Sequence, residues 1–120
     1  MKILFGFEDV LTLDAWLAFF ESKGHEVDGA MSAEDLLGVA ESFKPDLLVT
    51  TYRLKGELDG LGLFYELSAN PLTSNTKLIL ITELANRDRA RLNNKFVQSG
   101  GILGVIRPTE LSFEAIEELF

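Results

Sequence analysis

A five-stranded parallel sheet with helices on both faces is the fold class this sequence predicts, and three observations predict it. Short apolar runs of strand type (Lys2–Phe7, Leu47–Val49, Leu78–Ile81, Ile102–Ile106) alternate with segments of helical periodicity. Every connection between them is short, and alternation with short connections places parallel strands beneath crossover helices. Right-handed crossovers then restrict the topology to a doubly wound sheet. The 120 residues suffice for one core, so 1–120 reads as one domain.

The first run, Lys2–Phe7, reads as a buried strand with Glu8 and Asp9 at its carboxyl end. Val10, Leu13, Leu17 and Phe20 then recur at helical spacing, and Gly24 supplies a left-handed stop. Leu11, Trp16 and Phe19 widen that stripe; further core and edge contacts are the ordinary reading, a partner surface the sharper one. His25–Ala30 is short and polar, as suits a strand at a sheet edge. Ser32 with Asp35 resembles a capping box for a helix carrying Leu36, Leu37, Val39, Ala40 and Phe43, and Pro45 forbids its continuation.

The stretch 45–60, PDLLVTTYRLKGELDG, forms the centre: a Pro-Asp turn, an apolar strand ending in Thr50-Thr51, a polar loop, and Asp59 as cap of the next helix, Gly60–Ala69. Such a loop leaves the carboxyl end of the central strand, where open α/β sheets place their ligands. Asn70–Thr76 is a turn-rich connection, and Leu78–Ile81 is a strand closed by Thr82-Glu83. Asn86 is a candidate cap for a helix to Gln98, stopped by Gly100-Gly101. Ile102–Ile106 is the fifth strand, Arg107-Pro108 follows, and Ser112 caps a last segment with Phe113, Ile116 and Phe120 on one face. The chain ends within that helix on a bulky apolar residue, which suggests the N-terminal part of a longer protein.

Composition excludes several functions. With 47% hydrophobic and 25% charged residues the chain is globular, and no apolar run nears the ~20 residues that cross a bilayer. No cleavable signal is evident, and the absence of cysteine removes disulfides and thiolate chemistry, in keeping with a cytoplasmic protein. A single histidine, His25, rules out a multi-histidine metal site. A net charge of −8 opposes general nucleic-acid binding. No Ser-His-Asp, HExxH or phosphate-loop pattern supports a hydrolase or NTPase, so no catalytic residue and no enzyme is expected.

The order of elements and several motifs together resemble the receiver domain of bacterial two-component response regulators over nearly the whole chain. The matching features are KIL in the first strand, the acidic cluster after it, PDLLV, the YRLKGELDG loop, LILIT, SGG, and a basic residue before Pro108. The resemblance implies strand order 2-1-3-4-5. It also implies a phosphorylation pocket, and there the matched positions depart from the family. The acceptor aspartate's place holds Thr51, the acidic pair's places hold Phe7 and Glu8 with Asp9 beside them, and the lysine's place holds Arg107. The hydroxyl residue is kept as Thr82, its small neighbour is Glu83, and the aromatic switch aligns with Gly104.

A threonine hydroxyl is a weak nucleophile without an activating base, and Mg²⁺ wants carboxylates in near-octahedral geometry. The expectation is a degenerate pocket (Phe7, Glu8, Asp9, Thr51, Thr82, Glu83, Arg107), no cofactor and weak or absent Mg²⁺ binding. Arg107 is expected to pair with Glu8, Asp9 or Glu83 and hold the pocket in one state. The function so implied is a phosphorylation-independent protein-interaction module in bacterial signalling. The alternative is phosphotransfer through a non-standard acceptor such as Thr51 or Asp59. Flavodoxin-like cofactor binding ranks last, since Phe7-Glu8-Asp9-Val10 offers no Gly-rich phosphate cradle. A protein partner or a second copy is expected on the face of the fourth predicted helix, the fifth strand and the last helix. Arg87, Arg91, Lys95, Gly104 and Glu114 mark it, with the Trp16 and Phe19 side of the first helix as the competing surface.

Overall fold

The structure is a computed structural model that describes residues 1–52, 54, 59–83 and 101–120. Five parallel strands, β1 (Lys2–Gly6), β2 (Glu26–Ala30), β3 (Leu47–Thr51), β4 (Lys77–Ile81) and β5 (Ile102–Ile106), lie in the order β2-β1-β3-β4-β5. Helices α1 (Val10–Ser22), α2 (Ala33–Phe43) and α3 (Gly60–Ala69) connect the first four strands in chain order, and after β5 a 3₁₀ turn (Pro108–Glu110) leads to a C-terminal helix, Phe113–Glu117. The predicted class and order therefore hold. The predicted helix Asn86–Gln98, with Arg87, Arg91 and Lys95, lies outside the described residues.

Alternation along each strand divides the core in two. Ile3, Phe5 and Phe7 face α1 and the C-terminal helix together with Leu47, Val49, Ile79 and Ile81. Leu4, Leu48, Leu78 and Leu80 face α2 and α3. A register shift at Leu78/Ile79 makes Leu103 an extra residue on β5, so Gly104 pairs with Ile79.

The strand limits differ from the sequence reading by a residue. β1 ends at Gly6, although the Phe7 N–H still donates to Ala30 O (3.3 Å); β2 begins at Glu26 and β4 at Lys77. Gly6 is small for a packing reason. A Cβ there would meet Thr50 Oγ1 and lie 2.6 Å from Leu36 Cδ1, so β1, β3 and α2 leave no room for a side chain at this point.

The helix ends follow the signals in the sequence. Asp9, Ser32, Asp59 and Ser112 each accept a backbone N–H from the first turn they precede. Gly24 takes φ +91° after α1, and Lys44 takes φ 52° after α2, just ahead of Pro45. Val10 departs from its expected inward place: it is the first helical residue and is exposed. Among the described residues no helix is long and apolar enough to cross a membrane.

The wide apolar stripe of α1 divides: Leu13, Trp16 and Phe20 are core, Leu17 and Phe19 are partly buried, and Leu11 is 76% exposed. Trp16 is 5% exposed and sits beside the rings of Phe7 (5.5 Å between centroids), Phe20 (5.8 Å) and Phe113 (4.7 Å, edge-on). Phe19 stacks on Phe113 at 4.2 Å. Of the side chains that mark the competing surface, Trp16 is buried and Phe19 is partly covered by the C-terminal helix. Phe120 reaches the same cluster, 5.7 Å from Phe20 and edge-on to His25. His25 precedes β2, half-buried, with its Nδ1 3.1 Å from the N-terminal amine.

Candidate functional site

The carboxyl end of the sheet is built by register. Thr51 closes β3 opposite Ile81, and Ile81 pairs with Ile106 on its other side. Thr82 and Arg107 therefore follow at the same level, and the Thr82 N–H donates to Ile106 O (2.9 Å). Tyr52 fixes the chain just past Thr51: its N–H donates to Ile81 O (2.7 Å), and its carbonyl accepts the Gly60 N–H (2.7 Å). The Tyr52 ring, 3% exposed, lies against Gly60, where a Cβ would come within 2.7 Å of it. The ends of the polar loop are thus tied together beside Thr51. The sequence reading passed over Tyr52, although its place one residue beyond the strand, on the face of Leu48, marks it as core.

A cavity of about 300 Å³ opens here, lined by Phe7, Glu8, Asp9, Thr12 and Thr51. Four of the seven predicted pocket residues are brought together in it. Thr82, Glu83 and Arg107 lie along the same end of the sheet, outside that lining. Thr12 was missed by the sequence reading; its signal is the Asp9-x-x-Thr12 spacing of a helix cap.

The residues lining this cavity carry different physical loads. Phe7 falls on the Ile3 and Phe5 face by alternation, and its ring is 4% exposed against Trp16. It forms the cavity floor and belongs to the core. Asp9 caps α1: Oδ2 accepts the Thr12 hydroxyl (2.7 Å) and the Thr12 N–H (3.3 Å), and Oδ1 accepts the Leu11 N–H (3.4 Å). The Thr12 hydroxyl, chiefly, holds the Asp9 carboxyl below its ordinary range; desolvation opposes it, and the Thr12 and Leu11 N–H groups assist. Glu8 is exposed. Among the described residues no group of three or more histidine or acidic side chains is placed to hold a metal ion. Of the three matched acid places, one holds a buried ring (Phe7), one a hydroxyl (Thr51) and one the exposed carboxylate of Glu8, with Asp9 beside it capping α1, a poorer oxygen set for Mg²⁺ than three carboxylates.

The cap has a testable pH consequence. A carboxyl with a lowered folded-state pKa stabilises above its unfolded value and loses that contribution as pH falls through the folded value. Asp9→Asn is therefore expected to keep the cap at neutral pH and to flatten the acid limb of stability, whereas Asp9→Ala lowers the urea midpoint at neutral pH. Urea melts at neutral and acid pH check both.

Arg107 corrects the sequence reading. Its guanidinium is committed to Glu110, Nε at 2.8 Å and Nη2 at 2.6 Å from Oε1, rather than to Glu8, Asp9 or Glu83. The 3₁₀ turn beginning at Pro108 sets that partner, since it carries Glu110 back beside Arg107. Both side chains are about half exposed, so the pair contributes well under ~1 kcal/mol. At Gly104 a side chain would meet Leu119, 2.9 Å from a Cβ. Glu114 is exposed on the C-terminal helix.

Comparison with solved structures gives a consistent result. A response regulator receiver domain protein from Clostridium thermocellum superposes with a TM-score of 0.79 at 20% identity, covering 98% of this chain and 89% of that one. The fold is that of a receiver domain. A CheY-like receiver domain protein from Methanospirillum hungatei (TM-score 0.77, 23% identity, 98% and 89% covered) shares this receiver fold. So does a sensor protein from Polaromonas (TM-score 0.79, 16% identity, 98% and 91% covered). No family model matches the sequence, and no curated protein matches it either. The receiver fold is thus shared with these proteins at 16–23% identity.

Proposed function

We propose that this chain is a receiver-fold interaction module of bacterial signal transduction, cytoplasmic and non-enzymatic, that works without accepting a phosphoryl group. The observation that carries the reading is the packing of Phe7: the place of a metal-binding acid is taken by a ring in the aromatic core. Two further observations support it. Thr51 offers a hydroxyl where acyl-phosphate chemistry needs a carboxylate, and Asp9 is engaged in capping α1. Mg²⁺ binding at this end of the sheet is accordingly weak or absent.

At Gly104 the family's aromatic reporter is missing, and Leu119 stands over the space. The module acts through its surfaces, with a protein partner or a second copy on the face of residues 86–98, β5 and the C-terminal helix. The sequence places Arg87, Arg91 and Lys95 in the first of these, and Glu114 supplies opposite charge on the last. Self-complementary charge of this kind suits a two-fold contact.

Acetyl phosphate with Mg²⁺ tests the reading. Intact mass spectrometry is expected to find no phosphorylated protein. A phosphoryl group mapped to Thr51 or Asp59 would overturn it in favour of a non-standard acceptor.

A further inference from the structure

The net charge of this protein is concentrated at one edge of the sheet. Residues 8–41 hold nine of the nineteen acids and one of the eleven Lys and Arg residues, a net −8; the remainder holds ten of each and is neutral. Those residues build α1, β2 and α2, the edge opposite β5. Between these elements lies a second hollow, about 510 Å³, whose floor is Leu13, Ala30, Met31 and Val39 and whose rim carries Glu34 and Asp35. Met31 is 43% exposed there, and a Cβ at Gly38 on the α2 wall would have nothing within 4 Å. The hollow is wide and open, with room to seat an apolar side chain of a partner.

We infer that this hollow docks a cationic helical segment of a partner protein, one apolar side chain seated on Met31 and its Lys or Arg residues against the acidic rim. Charge decides the occupant. A potential of one sign over a whole edge repels nucleic acid and anionic membrane and steers a basic partner to it. An added β-strand is disfavoured, because Asp28 Oδ1 already accepts the outer-strand Gly29 N–H at 2.8 Å. Methionine suits the floor, since its unbranched side chain adapts to the inserted group. The site lies at the other edge from the face proposed above and is independent of the phosphate question.

The test uses the full chain and a short synthetic amphipathic helix of leucine and lysine, followed by NMR. Saturable shifts are expected at the Met31 methyl and the Gly29 and Gly38 amides, weakening as salt is raised. Gly38→Arg, which enters open space, is expected to weaken binding about tenfold or more by filling the hollow with like charge. Should that variant fail to fold, Met31→Lys is read in its place. Shifts spread evenly over all acidic residues, equal binding by the Gly38→Arg variant, or equal binding of the same peptide with glutamate for lysine would each overturn the inference. Shifts at these three residues on concentrating the protein alone would overturn it too, by showing a second copy as the occupant.

Discussion

Phe7→Asp is expected to destabilise the protein by about 3–5 kcal/mol and to gain no metal site in return. The substitution restores an acid to the place that the receiver resemblance gives one. Here that place is a floor of packed rings. The Phe7 ring lies 5.5 Å from Trp16, stacked, and only 4% of the residue is exposed. Removing it leaves a cavity beside Trp16, and the new carboxylate faces that apolar wall unless it turns outward. Phe7→Leu, which fills part of the space, is expected to cost under about 1.5 kcal/mol, so the pair separates lost packing from added charge. Urea melts of both variants check this. A Phe7→Asp protein within about 1 kcal/mol of the parent would mean that the ring is not part of the core.

Trp16→Ala has an effect of similar size, about 3–5 kcal/mol, with a local signature as well. Trp16 meets Phe5, Phe7, Phe20 and Phe113, and through Phe113 it anchors the C-terminal helix. That helix has five residues, too few to persist undocked. Amide exchange in residues 113–117 is expected to accelerate more than in β3. A surface role for Trp16 predicts the reverse, a change in stability near zero. Helix α1 is therefore a core element on its Trp16 side.

The sequence and the structure agree where local chemistry and periodicity act together. Ser32, Asp59 and Ser112 are legible as caps because each precedes a helical stripe by one residue, and the strand order follows once the family resemblance is seen. The candidate site was less legible, for two physical reasons. Position 9 carries an acid in both readings, but whether a carboxylate serves a cation or a helix end depends on Thr12, three residues on. Phe7 was placed at the pocket by alignment, while strict alternation from Ile3 and Phe5 also sends it to the core; both descriptions hold, and burial decides which dominates. The fit of a guanidinium to a carboxylate points to Glu8, Asp9 or Glu83 for Arg107, whereas the Pro108 turn offers Glu110 at shorter range. A contact made by a three-residue turn outcompetes one that must cross between strands, because less chain has to be ordered to make it.

The central claim is that the carboxyl end of this sheet no longer takes a phosphoryl group. Titrating beryllofluoride with Mg²⁺ into isotope-labelled protein tests it most directly, read at the amides of Glu8, Asp9, Thr51 and Thr82. The account predicts no saturable shift at any of the four. Saturable shifts centred on Glu8 and Thr51 would contradict it.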